Sequence, residues 1–191
     1  MRHNSLRNTT AELLEQVCND VVIEPPLLPI TSEILPPGTN CKDGARLDVS
    51  ARNFWTPLDR AFVDVRVFHP QAPSNSAYKS LPAMYRSHNL NKKNAYLARV
   101  RDVEKASFTP LIFSTTGGMG VETDKFFRHM ADKIATKTDQ RYSHVVAFIR
   151  RRIRFDLLKT CIISLRGYRG KQNESAERIE NLDLHLRPQA T

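Results

Sequence analysis

The segment AFVDVRVF, residues 61–68, decides the fold of this chain. Its β-branched and aromatic residues are typical of a buried strand. Because side chains alternate along a strand, Asp64 shares a face with Phe62, Arg66 and Phe68, while three valines take the other face. A carboxylate within a core strand is costly to desolvate unless a positive group compensates it. We therefore expect Arg66 or a metal ion beside Asp64, the alternative being an edge strand whose polar face meets water.

A second acid, Asp48, occupies a similar position sixteen residues earlier. It belongs to the alternating segment RLDVSAR, residues 46–52, and the turn at 55–59 would join the two strands as an antiparallel hairpin. Two carboxylates on one sheet face repel unless a cation lies between them, and hard oxygen ligands suit Mg²⁺. Asp48 and Asp64 are therefore the predicted catalytic acids and metal ligands, placed to activate a water molecule.

Basic and aromatic residues follow on the next predicted helix. Lys92 and Tyr96 are spaced i, i+4 and share a face, and Lys93 lies three residues before Tyr96. A lysine beside the acid pair would hold the attacking water or neutralise charge on the phosphate. Any one of these lysines on its own is more typical of a solvated helix face. Glu12 or Glu15 on the first helix would complete the acidic cluster, although most helical glutamates are simply exposed.

The hydrophobic pattern predicts an α/β fold with an αβββαβ core, a mixed sheet and additional C-terminal helices. The expected helices and strands, in chain order, are a helix at 9–17, strands at 20–24, 46–52 and 61–68, a helix at 82–105 broken near 87–89, a strand at 108–114, and helices at 124–137 and 143–166.

One domain accounts for the length, since 191 residues with 40% hydrophobic content bury one core. We expect that domain over 1–171, with a basic helical part at 143–171 and a polar, mobile tail at 172–191. The net charge is +9, and residues 141–171 hold nine basic residues against one acid. An apolar stripe would pack this helix and turn arginines toward DNA phosphates. The predicted nucleic-acid contacts are Arg150, Arg151, Arg152, Arg154 and Arg166; a docking surface for an acidic partner is the alternative.

Other classes find no support in the sequence. The three cysteines form no C-x-x-C pair, so neither a zinc site nor a disulfide framework is expected. The polar start and short apolar runs predict no secretory signal and no membrane helix, which favours the nucleus or cytoplasm. The turn at 117–120 lacks the G-K-[ST] ending of a phosphate loop and is expected to be a plain strand-to-helix turn.

Several motifs together resemble the restriction-like endonuclease domain of site-specific non-LTR retrotransposons. They are ARLD at 45–48, FVDVRV at 62–67 and KKxxY at 92–96, with RHN at 2–4 and FSTTGGMG at 113–120 as supporting matches. The shared RHN, DGAR, DVRV and GGMG also resemble uncharacterised animal proteins. Leu47 stands where the family motif has proline, and Arg66 takes the lysine position of the D-x-K form, which would move the lysine to the helix.

The resemblance implies a PD-(D/E)xK fold in which Asp48 and Asp64 are metal ligands and Lys93 or Lys92 is the catalytic lysine. Glu12 or Glu15 would be an accessory acid. The family's zinc knuckle and polymerase do not occur in this sequence, which is consistent with a fragment of a larger reverse-transcriptase polyprotein.

Three functional hypotheses follow. The first is a Mg²⁺-dependent DNA endonuclease domain that nicks DNA with a metal-activated water. The second is a catalytically inactive relative that binds nucleic acid through its basic helix. The third is a structural remnant with no nucleic-acid role.

Overall fold

A computed structural model describes residues 2–75, 77 and 80–166 of the chain. Within them, four α-helices and a four-stranded mixed sheet form an α/β fold. The elements are α1 (Arg2–Glu15), β1 (Asn19–Ile23), β2 (Val49–Arg52), β3 (Arg60–Phe68), a 3₁₀ turn (Pro73–Asn75), α2 (Leu81–Asp102), β4 (Ser107–Ser114), α3 (Val121–Thr138) and α4 (Tyr142–Arg166).

The sheet has the order β1-β2-β3-β4. The first two pairings are antiparallel, whereas β3 and β4 run parallel and stay in register from Ala61↔Ser107 to Phe68↔Ser114. Parallel neighbours need a crossover, and α2 supplies it. The β2–β3 connection is a loop of seven residues, 53–59, closed by the Asn53 amide, which donates to the Asp59 carbonyl at 3.0 Å. The expected hairpin between residues 46–52 and 61–68 is therefore present.

Two apolar layers cover the two faces of the sheet. On one face, Val63 and Val65 join a core that includes Leu13 of α1, Phe126 of α3 and Ile149 of α4. On the other face, Phe62 and Phe108 pack against Val100 of α2 and against Leu27 and Leu47, which precede β2. The alternation of β3 thus sends its valines to the larger core, and Asp64 shares the α2 face with Phe62.

The start of the first helix differs from the prediction. Helix α1 begins at Arg2 rather than at residue 9. The sequence does not indicate this earlier start, because the residues before Thr9 are mostly polar and show little periodicity. Leu6 nevertheless lies fully in the core, at 1% exposure, and anchors this first part of the helix. The early start brings His3 into the structured part of the chain.

Two other segments also differ in extent. Helix α2 runs without the expected break near 87–89 and begins with Pro82 in its first turn, where a missing amide proton costs nothing. Strand β2 begins at Val49, so Asp48 precedes it.

The chain divides into two units, residues 1–161 and 162–191. The described part of the second unit, residues 162–166, is the end of α4. The tail expected at 172–191 lies outside the described residues. Every helix in the described part of the chain is too short or too polar to cross a membrane.

Candidate active site

Asp48 and Asp64 lie close together on the hairpin of β2 and β3. Asp48 immediately precedes β2, whose first residue, Val49, pairs with Val63 of β3, and the charge of Asp48 contributes to the raised pKa of Asp64. Asp48 also bonds to β3 on either side of Asp64: its amide donates to the Val63 carbonyl at 3.2 Å, and its Oδ2 accepts from the Val65 amide at 2.5 Å. Both acids are buried, at 9% and 6% exposure. The hairpin therefore brings two buried carboxylates together.

His3 contacts the first acid from the first turn of α1. Its Nε2 lies 2.8 Å from Asp48 Oδ2, where an N–H would donate to the carboxylate. This hydrogen bond is the main reason why the pKa of His3 is raised, and burial opposes it. Sequence reasoning gave His3 no role, because the helix was expected to begin after it. The only available signal was the RHN motif itself.

Lys92 contacts the second acid from α2. Its Nζ lies 2.7 Å from Asp64 Oδ2 and 5.6 Å from the centre of the Tyr96 ring, where the ring face attracts the ammonium. Burial raises the pKa of Asp64; Lys92 opposes this effect, and the neighbouring Asp48 adds to it. Two acids thus face two basic side chains, His3 and Lys92, in one small polar cluster.

The position of Lys92 resolves which of the adjacent lysines faces the acids. Lys93 points elsewhere and pairs with Glu122 of α3 at 2.6 Å. Arg66, the other expected partner of Asp64, is exposed. Because α2 crosses the Asp64 face of the sheet, a lysine on its inner side reaches the acid more directly than an arginine two residues along the strand.

The accessory acids expected on α1 do not join the cluster. Glu12 forms an ion pair with Arg152 of α4, and Glu15 is exposed. Neither glutamate therefore contacts the acid pair, whereas His3 in the first turn of α1 does.

Asp48 and Asp64 fit a magnesium ion in the chemistry of their ligands. Mg²⁺ is commonly held by one or two carboxylates, with waters and substrate phosphate completing its shell. Among the described residues, no set of three or more His, Cys, Asp and Glu side chains is gathered closely enough to hold a metal by itself. A cation here would thus rely on two carboxylates and on non-protein oxygens, and would compete with His3 and Lys92 for them.

The arginines of α4 fall into two groups. Arg150 pairs with Asp124 at 3.0 Å, and Arg152 pairs with Glu12, so intramolecular acids already neutralise them in part. Arg151 and Arg154 are exposed. Arg166 ends the helix, and its side chain lies outside the described part, as do the basic residues beyond it. The basic surface available to a polyanion is smaller than the charge count suggests.

No protein-family model, curated protein or solved structure matches this chain. The resemblance to retrotransposon endonucleases therefore depends on the short motifs alone.

Proposed function

We propose that this chain is a restriction-endonuclease-like domain, derived from a non-LTR retrotransposon, that nicks DNA in a Mg²⁺-dependent reaction. One observation carries the proposal: Asp48 and Asp64 are buried side by side on the hairpin of β2 and β3, and Lys92 lies within ion-pair distance of Asp64. The element order α1-β1-β2-β3-α2-β4 agrees with the αβββαβ core that this class of nuclease has. Burial and a neighbouring like charge raise the pKa of Asp64, and ionisable groups perturbed in this way cluster at functional sites.

Each residue has a definite task in this proposal. Asp48 and Asp64 would hold the ion, which when bound supplies Lewis acidity and a more acidic water. Lys92 would place its ammonium beside the attacking water or the phosphate, where negative charge grows during the reaction. Tyr96 holds Lys92 from its ring face. Val65 fixes Asp48 through its backbone amide, so that the carboxylate does not need to reorient when a cation arrives.

DNA is the proposed partner because of charge. The net charge of +9 favours a polyanion through release of condensed counterions. Arg151 and Arg154 are the exposed arginines of α4 that would meet backbone phosphates, whereas Arg150 and Arg152 would have to leave Asp124 and Glu12 first. A nuclear or cytoplasmic location follows from the proposal.

A catalytically inactive DNA-binding relative is the second candidate, and one observation favours it. His3 and Lys92 already contact the two acids without a metal, and no third acidic ligand lies with them in the described residues. A cluster balanced in this way is stable as a purely structural feature. In that case the basic residues of α4 would carry the whole activity.

Plasmid nicking separates the two candidates. Supercoiled plasmid is incubated with Mg²⁺ and with the parent protein, Asp64→Asn, Lys92→Met or Lys93→Met. Nicked circles from the parent and from Lys93→Met, and none from the other two variants, support the nuclease. DNA binding without nicking in all four proteins supports the inactive relative. Equal nicking by Asp64→Asn and the parent would contradict the proposed site.

A further inference from the structure

A groove lies between the glycine turn that follows β4 and the outer side of α4. Its volume is about 520 Å³, within the range of about 300–1,000 Å³ that small-ligand sites usually have. The residues that matter for its chemistry are Thr115, Thr116 and Gly117 on the turn, and Arg154, Leu158 and Cys161 on the helix. The wall formed by the turn is therefore polar, whereas the wall formed by α4 is largely apolar apart from Arg154.

The polar wall is built rigidly. The Thr115 amide donates to the Phe68 carbonyl at 2.9 Å, and its hydroxyl lies 2.9 Å from His69 Nδ1. Thr116 Oγ1 lies 2.8 Å from Ser114 Oγ. Gly117 has φ +88°, a conformation that suits glycine, and a Cβ there would meet open space. The turn therefore presents hydroxyl groups whose positions are fixed by β3 and β4.

Arg154 differs from the paired arginines of the same helix. Arg150 and Arg152 pair with acids, whereas Arg154 is exposed and has no acidic or hydrogen-bonding partner among the described residues. A guanidinium presents several donors in a planar fork that matches the oxygens of a phosphate. Its charge is thus available to a ligand in the groove.

The apolar wall narrows the class of ligand. Leu158 is 58% exposed and lines the groove together with Arg154, so it offers carbon surface near that charge. A ligand that satisfies both walls has an anionic group and an apolar or aromatic part. A nucleotide has both, and a groove of this size admits one unpaired nucleotide but not a duplex.

We propose that this groove binds an unpaired stretch of a DNA strand, with a backbone phosphate at Arg154 and a sugar or base against Leu158. The inference deepens the proposed function, since it assumes that DNA is the partner of the acid site. Phe68, which bonds to the turn, lies four residues beyond Asp64 along β3, or roughly 13 Å. The acids lie on the α2 face of the sheet and α4 packs on the other face, so a strand bound at both sites would pass around the end of the sheet.

Binding measured without metal tests the groove apart from catalysis. Fluorescence anisotropy of a labelled twelve-nucleotide oligothymidine, in EDTA, is compared for the parent, Arg154→Gln, Leu158→Glu and Arg86→Gln. The last variant is the matched control, because Arg86 is an exposed arginine of α2 that lies outside the groove, and its replacement removes the same charge. We expect Arg154→Gln to weaken binding about tenfold, as the loss of a charge-assisted hydrogen bond does. Leu158→Glu should weaken it at least as much, and Arg86→Gln by less than about threefold.

Three results would overturn the groove. They are equal losses in Arg154→Gln and Arg86→Gln, unchanged binding in Arg154→Gln and Leu158→Glu, and a twelve-base-pair duplex that competes as well as the single strand. Asp64→Asn should bind like the parent. If the parent does not nick plasmid but binds the oligonucleotide in a way that depends on Arg154, the nuclease proposal alone is contradicted. If Arg154→Gln still nicks plasmid and binds the oligonucleotide like the parent, the groove proposal alone is contradicted.

Discussion

Lys92→Met should destabilise the protein far more than the same change one residue later. Lys92 Nζ lies 2.7 Å from Asp64 Oδ2, with the two side chains 23% and 8% exposed. Removing one partner of a buried pair costs about 3–5 kcal/mol, and the partial access of water to Lys92 brings the expected loss to about 2–3 kcal/mol. The Lys93–Glu122 pair has side chains 31% and 36% exposed, and its loss should cost below about 1 kcal/mol.

Urea unfolding at pH 7 in EDTA measures both losses. The slope of the free energy of unfolding against urea should stay constant, so that the midpoints report stability directly. Asp64→Asn/Lys92→Met should recover most of the loss of Lys92→Met, because the orphaned carboxylate is gone, and the coupling energy of the cycle should be about 2 kcal/mol. Equal destabilisation by Lys92→Met and Lys93→Met, or additive effects in the double variant, would refute the buried pair.

Three further predictions concern residues around the site. Gly118→Ala should lower the thermal stability of the protein, since a Cβ there would lie 2.4 Å from Tyr85 Oη. Adding Tyr85→Phe to the same chain should restore much of that stability, and a double variant without such recovery would contradict this contact. Arg99→Met should lower the free energy of unfolding in urea by about 3 kcal/mol or more, because buried Arg99 donates to three loop carbonyls. Arg101→Met, at an exposed arginine of the same helix, should cost below about 0.5 kcal/mol. Similar losses in the two variants would contradict the role of Arg99. Burial, with a smaller effect of Arg66, lowers the pKa of His88 from 6.5. The contribution of His88 to the free energy of unfolding is therefore full above pH 6.5 and is lost as the pH falls below it. Unfolding midpoints of His88→Gln should depend less on pH between about 5 and 6.5 than those of the parent, and an unchanged dependence would contradict the lowered pKa.

The strands were predictable from the sequence because their patterns are local. Alternation in residues 61–68 gives the strand, its faces and the position of Asp64 without further information. The chain then returns through residues 53–59 as a hairpin, which brings Asp48 close to Asp64. These are consequences of a period of two and of the pairing of neighbouring strands.

The partners of the acids were not predictable in the same way. Lys92 and Lys93 differ by about 100° around a helix, and only the rotation at which α2 packs on the sheet decides which one reaches Asp64. His3 depends on the length of α1, whose polar first turn shows no amphipathic signal but is held by Leu6. Glu12 is drawn to Arg152, a residue 140 positions away. Each of these contacts is set by tertiary packing.

Manganese binding tests the central claim most directly, since Mn²⁺ takes the same oxygen ligands as Mg²⁺ and its free form gives an electron paramagnetic resonance signal. Titration of the parent protein should reveal one bound ion per chain, lost in Asp48→Asn and in Asp64→Asn and retained in Asp124→Asn. If all four proteins bind manganese alike, or none binds it, then the two buried carboxylates do not form a cation site.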